Sequence, residues 1–161
     1  MRPVEKSHRY QLRLDWIGAR QGPTQNYETY SREFRVEISG KPALIGSADP
    51  AFRGDAGLYN PEEMLVAALS SCHMLSYLAL CVRSRIAVVA YTDIASGTMS
   101  DKTPHRMGFT EVMLHPRVVI AASADAAKAK ALHEQAHKLC FIANSVNFPV
   151  HHEAEIVVAA R

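Results

Sequence analysis

The chain is short of the features that announce a partner. Lysine and arginine outnumber aspartate and glutamate only 18 to 16, and no basic run concentrates them. The charge pattern therefore makes no case for nucleic acid. The opening MRPVEKSHRYQLRLDW lacks the apolar core of a signal peptide. No stretch approaches the roughly 18 apolar residues of a membrane span. These absences together predict a cytoplasmic protein without nucleic-acid or membrane partners. There the three cysteines rest reduced, which argues against a lasting structural disulfide. Internal repeats and low-complexity segments are missing as well, and 161 residues suit a single domain, 1–161, with a real core.

What is present reads as alternating strands and two helices. HRYQLRLDWIG alternates Tyr10, Leu12, Leu14 and Trp16 with polar residues, the period of a half-buried strand. YETYSREFRVEI repeats the pattern through Tyr30, Phe34, Val36 and Ile38, so the two predict a hairpin, with ALIG as a short third strand. SADPAFRGDAGLYNP is a long loop rich in Gly, Pro and Asp, a kind usually functional or disordered. Residues 1–59 thus form an N-terminal part, 60–84 a helix, and 86–161 the remainder. In that remainder, IAVVAYTDIASGTMS and GFTEVMLHPRVVIAA read as two strands. ADAAKAKALHEQAHKLCFIANSV reads as a second helix capped by Ser123 or Asp125, and HEAEIVVAA as a closing strand. This order predicts an α+β fold with an antiparallel sheet.

The helix at 60–84 begins with clear signals. Asn60 suits the N-cap, Pro61 the first turn, and Glu62 and Glu63 the positive helix end. It is apolar nearly all round, and such a helix must be covered on every side. A small sheet covers one face, so the sequence predicts a homodimer built around this helix. Cys72 sits in its middle. A lone helical cysteine fits the core as a small hydrophobe, and Cys81, on the opposite side, is read as core. To act as a nucleophile, Cys72 needs a cation nearby. Arg53 in the loop and Arg32 on the second strand are the candidates, though either alone reads as a solvated residue. Glu62 lies ten positions before Cys72, about 15 Å along the axis, too far to touch it. Two such helices crossing antiparallel at a twofold axis would bring Glu62 of one chain to Cys72 of the other.

NPEEMLVAALSSC, followed by Cys140 late in the second helix, resembles the OsmC/Ohr family, in a divergent branch. The resemblance extends over most of the chain. It implies an OsmC-like antiparallel sheet wrapped around long helices and an intertwined homodimer with shared active sites. It also implies a peroxidase that reduces organic hydroperoxides without a bound cofactor, reset by an external dithiol or lipoyl-type reductant. Carried over, Cys72 corresponds to the peroxidatic cysteine, Cys140 to the resolving one, and Glu62 with Arg53 to the activating pair. The spacing from Arg53 to Asn60 is about one residue short of the family pattern, which keeps Arg32 as the alternative. His73 replaces a common phenylalanine, and CFIANSV replaces the usual Cys-Pro start. Phe52, Leu65, Leu69, His73, Met74 and Leu75 are the candidates for an apolar substrate pocket. A non-catalytic member of the same fold, binding a ligand or sensing oxidation, is the alternative.

A third reading comes from HEQAH, residues 133–137, which matches the H-E-x-x-H pattern of zinc hydrolases. His133 and His137 share a helical face, with Glu134 as general base. No third ligand follows at a familiar offset, and the Lys- and Ala-rich helix predicts two exposed histidines instead. His73 points about 100° from Cys72, which argues against a Cys–His pair between them.

Overall fold

The computed structural model describes residues 7–103 and 106–160. MRPVEK, read above for a leader, lies outside them. The chain divides into two compact units, Met1–Met64 and Leu65–Arg161.

In the first unit, β1 (Arg13–Trp16), β2 (Phe34–Glu37) and β3 (Leu44–Gly46) form an antiparallel sheet in the order β1-β2-β3. The expected hairpin is present but shorter. Tyr10 and Leu12 precede β1 and are exposed. Phe34 pairs with Trp16 on one side and Gly46 on the other. A side chain at Gly46 would begin 2.3 Å from the Phe34 ring, so only glycine lets β3 close against it. In the long loop, Ser47 donates its N–H to Tyr59 O at 2.9 Å, and its hydroxyl accepts the N–H of Asp55 at 3.1 Å. These bonds make the loop an ordered turn around a 3-10 segment, Pro50–Phe52.

The helix α1 (Pro61–Arg83) starts as its sequence predicts. Asn60 Oδ1 accepts the Glu63 N–H at 2.8 Å, and Glu63 Oε2 accepts the Asn60 N–H at 3.3 Å. This is a reciprocal cap that satisfies two otherwise orphaned donors. One expectation needs correction: α1 is long and apolar enough to cross a bilayer by length and composition alone. It also carries a buried stripe. Leu69, His73, Tyr77 and Cys81 recur every fourth residue and so line one face.

The second unit holds four strands where the sequence suggested two. These are β4 (Val88–Asp93), β5 (Ser96–Thr103), β6 (Arg106–Leu114) and β7 (Pro116–Ile120). Each long apolar stretch switches sheets midway, since β4 pairs with β7 and β5 with β6. Asp93 ties the two switch points, accepting the His115 N–H at 2.7 Å and the Ser70 hydroxyl. Next come α2 (Ala126–Leu139), β8 (Val150–His152) and β9 (Glu155–Val158). Because both final strands follow the α2 crossover, β8 joins β6 in parallel and β9 joins β7 in parallel. The sheets β4-β7-β9 and β5-β6-β8 are thus mixed rather than antiparallel.

Two apolar clusters fill this unit. Tyr77, Cys81, Val118, Ile120, Leu132 and Ala136 belong to one. Leu69, Val112, Leu114 and Val150 form the other. Burying each of the larger aliphatic side chains contributes about 1.5–3 kcal/mol. Since α1 supplies residues to both clusters, it fixes them in one frame.

Candidate functional site

Cys72 lies in the middle of α1, partly exposed, while Cys140 and Cys81 are each 1% exposed; all three are free thiols. The expected second helix stops short of Cys140. It ends at Leu139, and Cys140 is its extended C-cap. The chain turns there because Asn144 reaches back to donate to Lys138 O at 3.0 Å, occupying a carbonyl at the helix end. The turn brings the Ala143 N–H to 3.5 Å from Cys140 Sγ. Burial is the main force on the Cys140 thiol, pushing it up to about 11 against the opposing Ala143 N–H, and the neighbouring Cys72 thiol adds to the rise. Cys72 and Cys140 are therefore neighbours, although 68 positions separate them in sequence. Burial also pushes the Cys81 thiol up. Cys81 sits in the core beside Tyr77, as its sequence position predicts.

The first unit holds a cavity of about 330 Å³ lined by Trp16, Tyr30, Arg32, Phe34, Phe52 and Glu62, among others. Arg32 is not a solvated residue. Its guanidinium donates to the carbonyls of Tyr27 and Tyr30 and lies 3.7 Å from the centre of the Tyr30 ring, an arrangement that favours the planar cation. Trp16 Nε1 donates to Ser31 O at 2.7 Å and fixes the adjacent wall. Arg53 takes a different place. It caps the 3-10 turn in a left-handed conformation with φ 65, is half exposed, and lies 3.7 Å from Glu28. The cavity that contains Glu62 is lined by Arg32 and not by Arg53. Arg32 Nε and Glu62 Oε2 are both buried without hydrogen-bond partners. One donor and one acceptor thus stand unused at an aromatic cavity, a set suited to a small polar group on an apolar body.

Of the expected pocket residues, Phe52 belongs to the first unit and the others to the second. Phe52 lines the cavity of the first unit. Leu69 is fully buried in the core, with Leu65 packed beside its cluster. Leu75 is 63% exposed, and Met74 is half-buried. His73 is not a pocket wall either. It is 1% exposed and bonded to His133.

That bond also corrects the expectation for HEQAH. His133 is buried rather than exposed, because α2 turns this face toward Tyr77 and His73. Among the described residues, no three His, Cys, Asp or Glu side chains are grouped to hold one metal ion. Sequence reasoning missed Tyr27 and Tyr30 as the seat of Arg32. The i, i+2 spacing of Tyr30 and Arg32 was the available signal. Nothing in the sequence pairs His73 with His133.

Comparison with known proteins agrees with this architecture. The family described as OsmC-like protein matches residues 54–155. An OsmC-like protein of unknown function from Vibrio cholerae superposes with a TM-score of 0.85 at 31% identity, covering 92% of this chain and 100% of its own. An organic hydroperoxide resistance protein from Elizabethkingia anophelis superposes with a TM-score of 0.67 at 17% identity, covering 96% and 100%. An OsmC-like protein from Mycoplasma pneumoniae gives 0.72 at 15%, covering 94% and 99%. No curated protein matches the chain in sequence.

Proposed function

Given that the chain belongs to the OsmC-like family, we propose that it reduces organic hydroperoxides to alcohols by thiol chemistry at Cys72 and Cys140. The observation that carries this reading is the pairing of a partly exposed thiol in mid-helix with a buried second thiol beside it. The Cys72 thiolate attacks the distal peroxide oxygen, the O–O bond breaks, and the alkoxide leaves as alcohol after taking a proton. Cys72 is then a sulfenic acid. The Cys140 thiol attacks that sulfur, water leaves, and a Cys72–Cys140 disulfide forms. An external dithiol, of lipoyl type or similar, restores both thiols by exchange. No bound cofactor enters this cycle.

Activation of Cys72 requires a positive neighbour. Arg32 is the better candidate than Arg53, because it shares a cavity with Glu62 and is held by two carbonyls. We assign these groups to a homodimeric site, Arg32 and Glu62 of one protomer serving Cys72 of the other. Glu62 and Cys72 stand ten residues apart on one continuous helix, so the Glu62 of its own chain lies about 15 Å away along the axis. Leu75 and Val82 of α1 remain 63% and 77% exposed in the single chain, which supports a covering second copy. The aromatic lining of the cavity favours alkyl or aryl hydroperoxides over hydrogen peroxide.

The test is consumption of cumene hydroperoxide by purified protein with a dithiol, wild type against Cys72→Ser. Cys72-dependent turnover supports the reading. A Cys72–Cys140 disulfide that forms without turnover points to the oxidation-sensing alternative. Mixing Cys72→Ser with Glu62→Ala protomers tests the shared site, since heterodimers keep one intact pair and recover partial activity.

A further inference from the structure

The proposed thiol cycle leaves a histidine cluster unused. His73 of α1 and His133 of α2, each 1% exposed, meet at 3.0 Å, Nε2 to Nδ1. The ring of His152, on β8, is centred 5.3 Å from that of His73 and 6.0 Å from that of His133. The ring of His137, one turn along α2, lies 5.7 Å from that of His152. Tyr77 stacks on His133 with centres 3.8 Å apart. Four imidazoles from three elements therefore meet at the junction of α1, α2 and β8.

A neutral imidazole has one N–H and one lone pair. Whichever ring supplies the proton of the His73–His133 bond, the outer nitrogens then carry one donor and one lone pair. Those nitrogens, His73 Nδ1 and His133 Nε2, are buried and have no partner. A proton added there creates a buried cation among imidazoles. The only carboxylate in ion-pair contact with the cluster, among the described residues, is Glu134, which lies 3.5 Å from His152 and not against the His73–His133 pair. Tyr77 on α1 stacks on His133 and Tyr91 on β4 lies against Tyr77, both neutral phenols that burial keeps protonated. His151 on β8 adds no negative charge. Lys130, Glu153 and Glu155 line an adjacent cavity of about 720 Å³ that His133 and His152 also line.

We propose that this cluster is an acid-sensitive clasp: α2 stays seated against α1 and β8 only while the imidazoles are uncharged, and protonation releases it. Burial first, and then the neighbouring imidazoles, hold His73 at about 4 and His133 at about 3, against about 6.5 in an open chain. Burial also lowers His152, with Glu134 opposing. The released form binds protons more readily than the seated form. The clasp is therefore at full strength above about pH 6.5 and weakens as pH falls toward 4. The opening constant rises up to about tenfold per pH unit for each histidine, or about a hundredfold for the pair. Because Cys140 caps α2, release also carries the second thiol away from Cys72, whatever chemistry the thiols perform.

The test is hydrogen exchange of α2 amides between about pH 7 and pH 4.5, corrected for intrinsic rates. It is run on the wild-type chain and on the His73→Phe, His133→Phe double variant. Labelling of Cys140 by a dipyridyl disulfide, which reacts in acid, follows the same opening. The expected result is a wild-type opening that grows more than a hundredfold over this range in α2, with the response flattened in the double variant. Equal pH dependence in both proteins, or pH-independent α2 protection in the wild type, overturns the proposal. Should the double variant not fold, NMR of the wild-type histidine rings decides. Rings of His73 and His133 that stay neutral while α2 is seated support the clasp, and titration near 6.5 with α2 still protected refutes it.

Discussion

Cys72 and Cys81 are two thiols nine residues apart on one helix, yet they occupy different chemical worlds. Cys81 belongs to the stripe Leu69, His73, Tyr77, Cys81 and is walled in by apolar neighbours. Burial disfavours its thiolate, which is the nucleophilic form. Cys72 is off that stripe, partly exposed and next to Cys140. Residue type and helix are the same, so the face alone separates them. Reactivity on α1 is a question of azimuth, because the helix buries one stripe and leaves the remainder for solvent, a ligand or a second copy.

The sharpest way to break this comparison is to exchange the thiols. Cys72→Ser should reduce dithiol-dependent peroxide turnover to background, and peptide mapping after oxidation should find Cys140 unpaired. A disulfide to Cys81 would overturn the division of faces. Arg32→Ala should lower kcat/KM by about 10²–10³-fold, the usual cost of one lost charge-stabilising donor. Arg53→Ala, at a half-exposed guanidinium outside the cavity, should change it less than about threefold. Steady-state kinetics on the two variants would separate them, and the reverse ranking would restore Arg53. Leu69→Ala should cost about 2–5 kcal/mol in urea denaturation. Leu75→Ala, on the exposed side, should stay within about 0.5 kcal/mol for the monomer. Cys81→Ala should fall between those two, costing about 1 kcal/mol of stability, with turnover unaltered.

The legible parts of the fold were those specified by neighbours in sequence. The start of α1 could be read because Asn60, Pro61 and Glu63 act within four residues of one another. The N-terminal strands could be read from period-two alternation, although their ends could not, since Tyr10 and Leu12 stay exposed ahead of β1. The parallel pairings of β8 and β9 escaped because alternation reports a strand's faces and not its partner. The two sheet switches escaped too. The joint at Asp93 and His115 is made by a hydrogen bond between residues 22 positions apart.

The site divides along the same line. Cys72, Cys140 and Glu62 stand out through a local pattern and its family resemblance. The proposed preference for Arg32 over Arg53 rests on which guanidinium two tyrosine carbonyls hold.

Sequence by itself determined the helix start, the thiol in its middle, the second thiol and the α+β class, because capping, periodicity and motif spacing are short-range properties of a chain. Only the tertiary structure decided which face of α1 is buried, that Cys140 lies beyond the end of α2, and that His133 of HEQAH turns inward to meet His73. Those outcomes depend on which distant segments compete to cover each surface, and contacts at long separation leave no periodic trace in the order of residues.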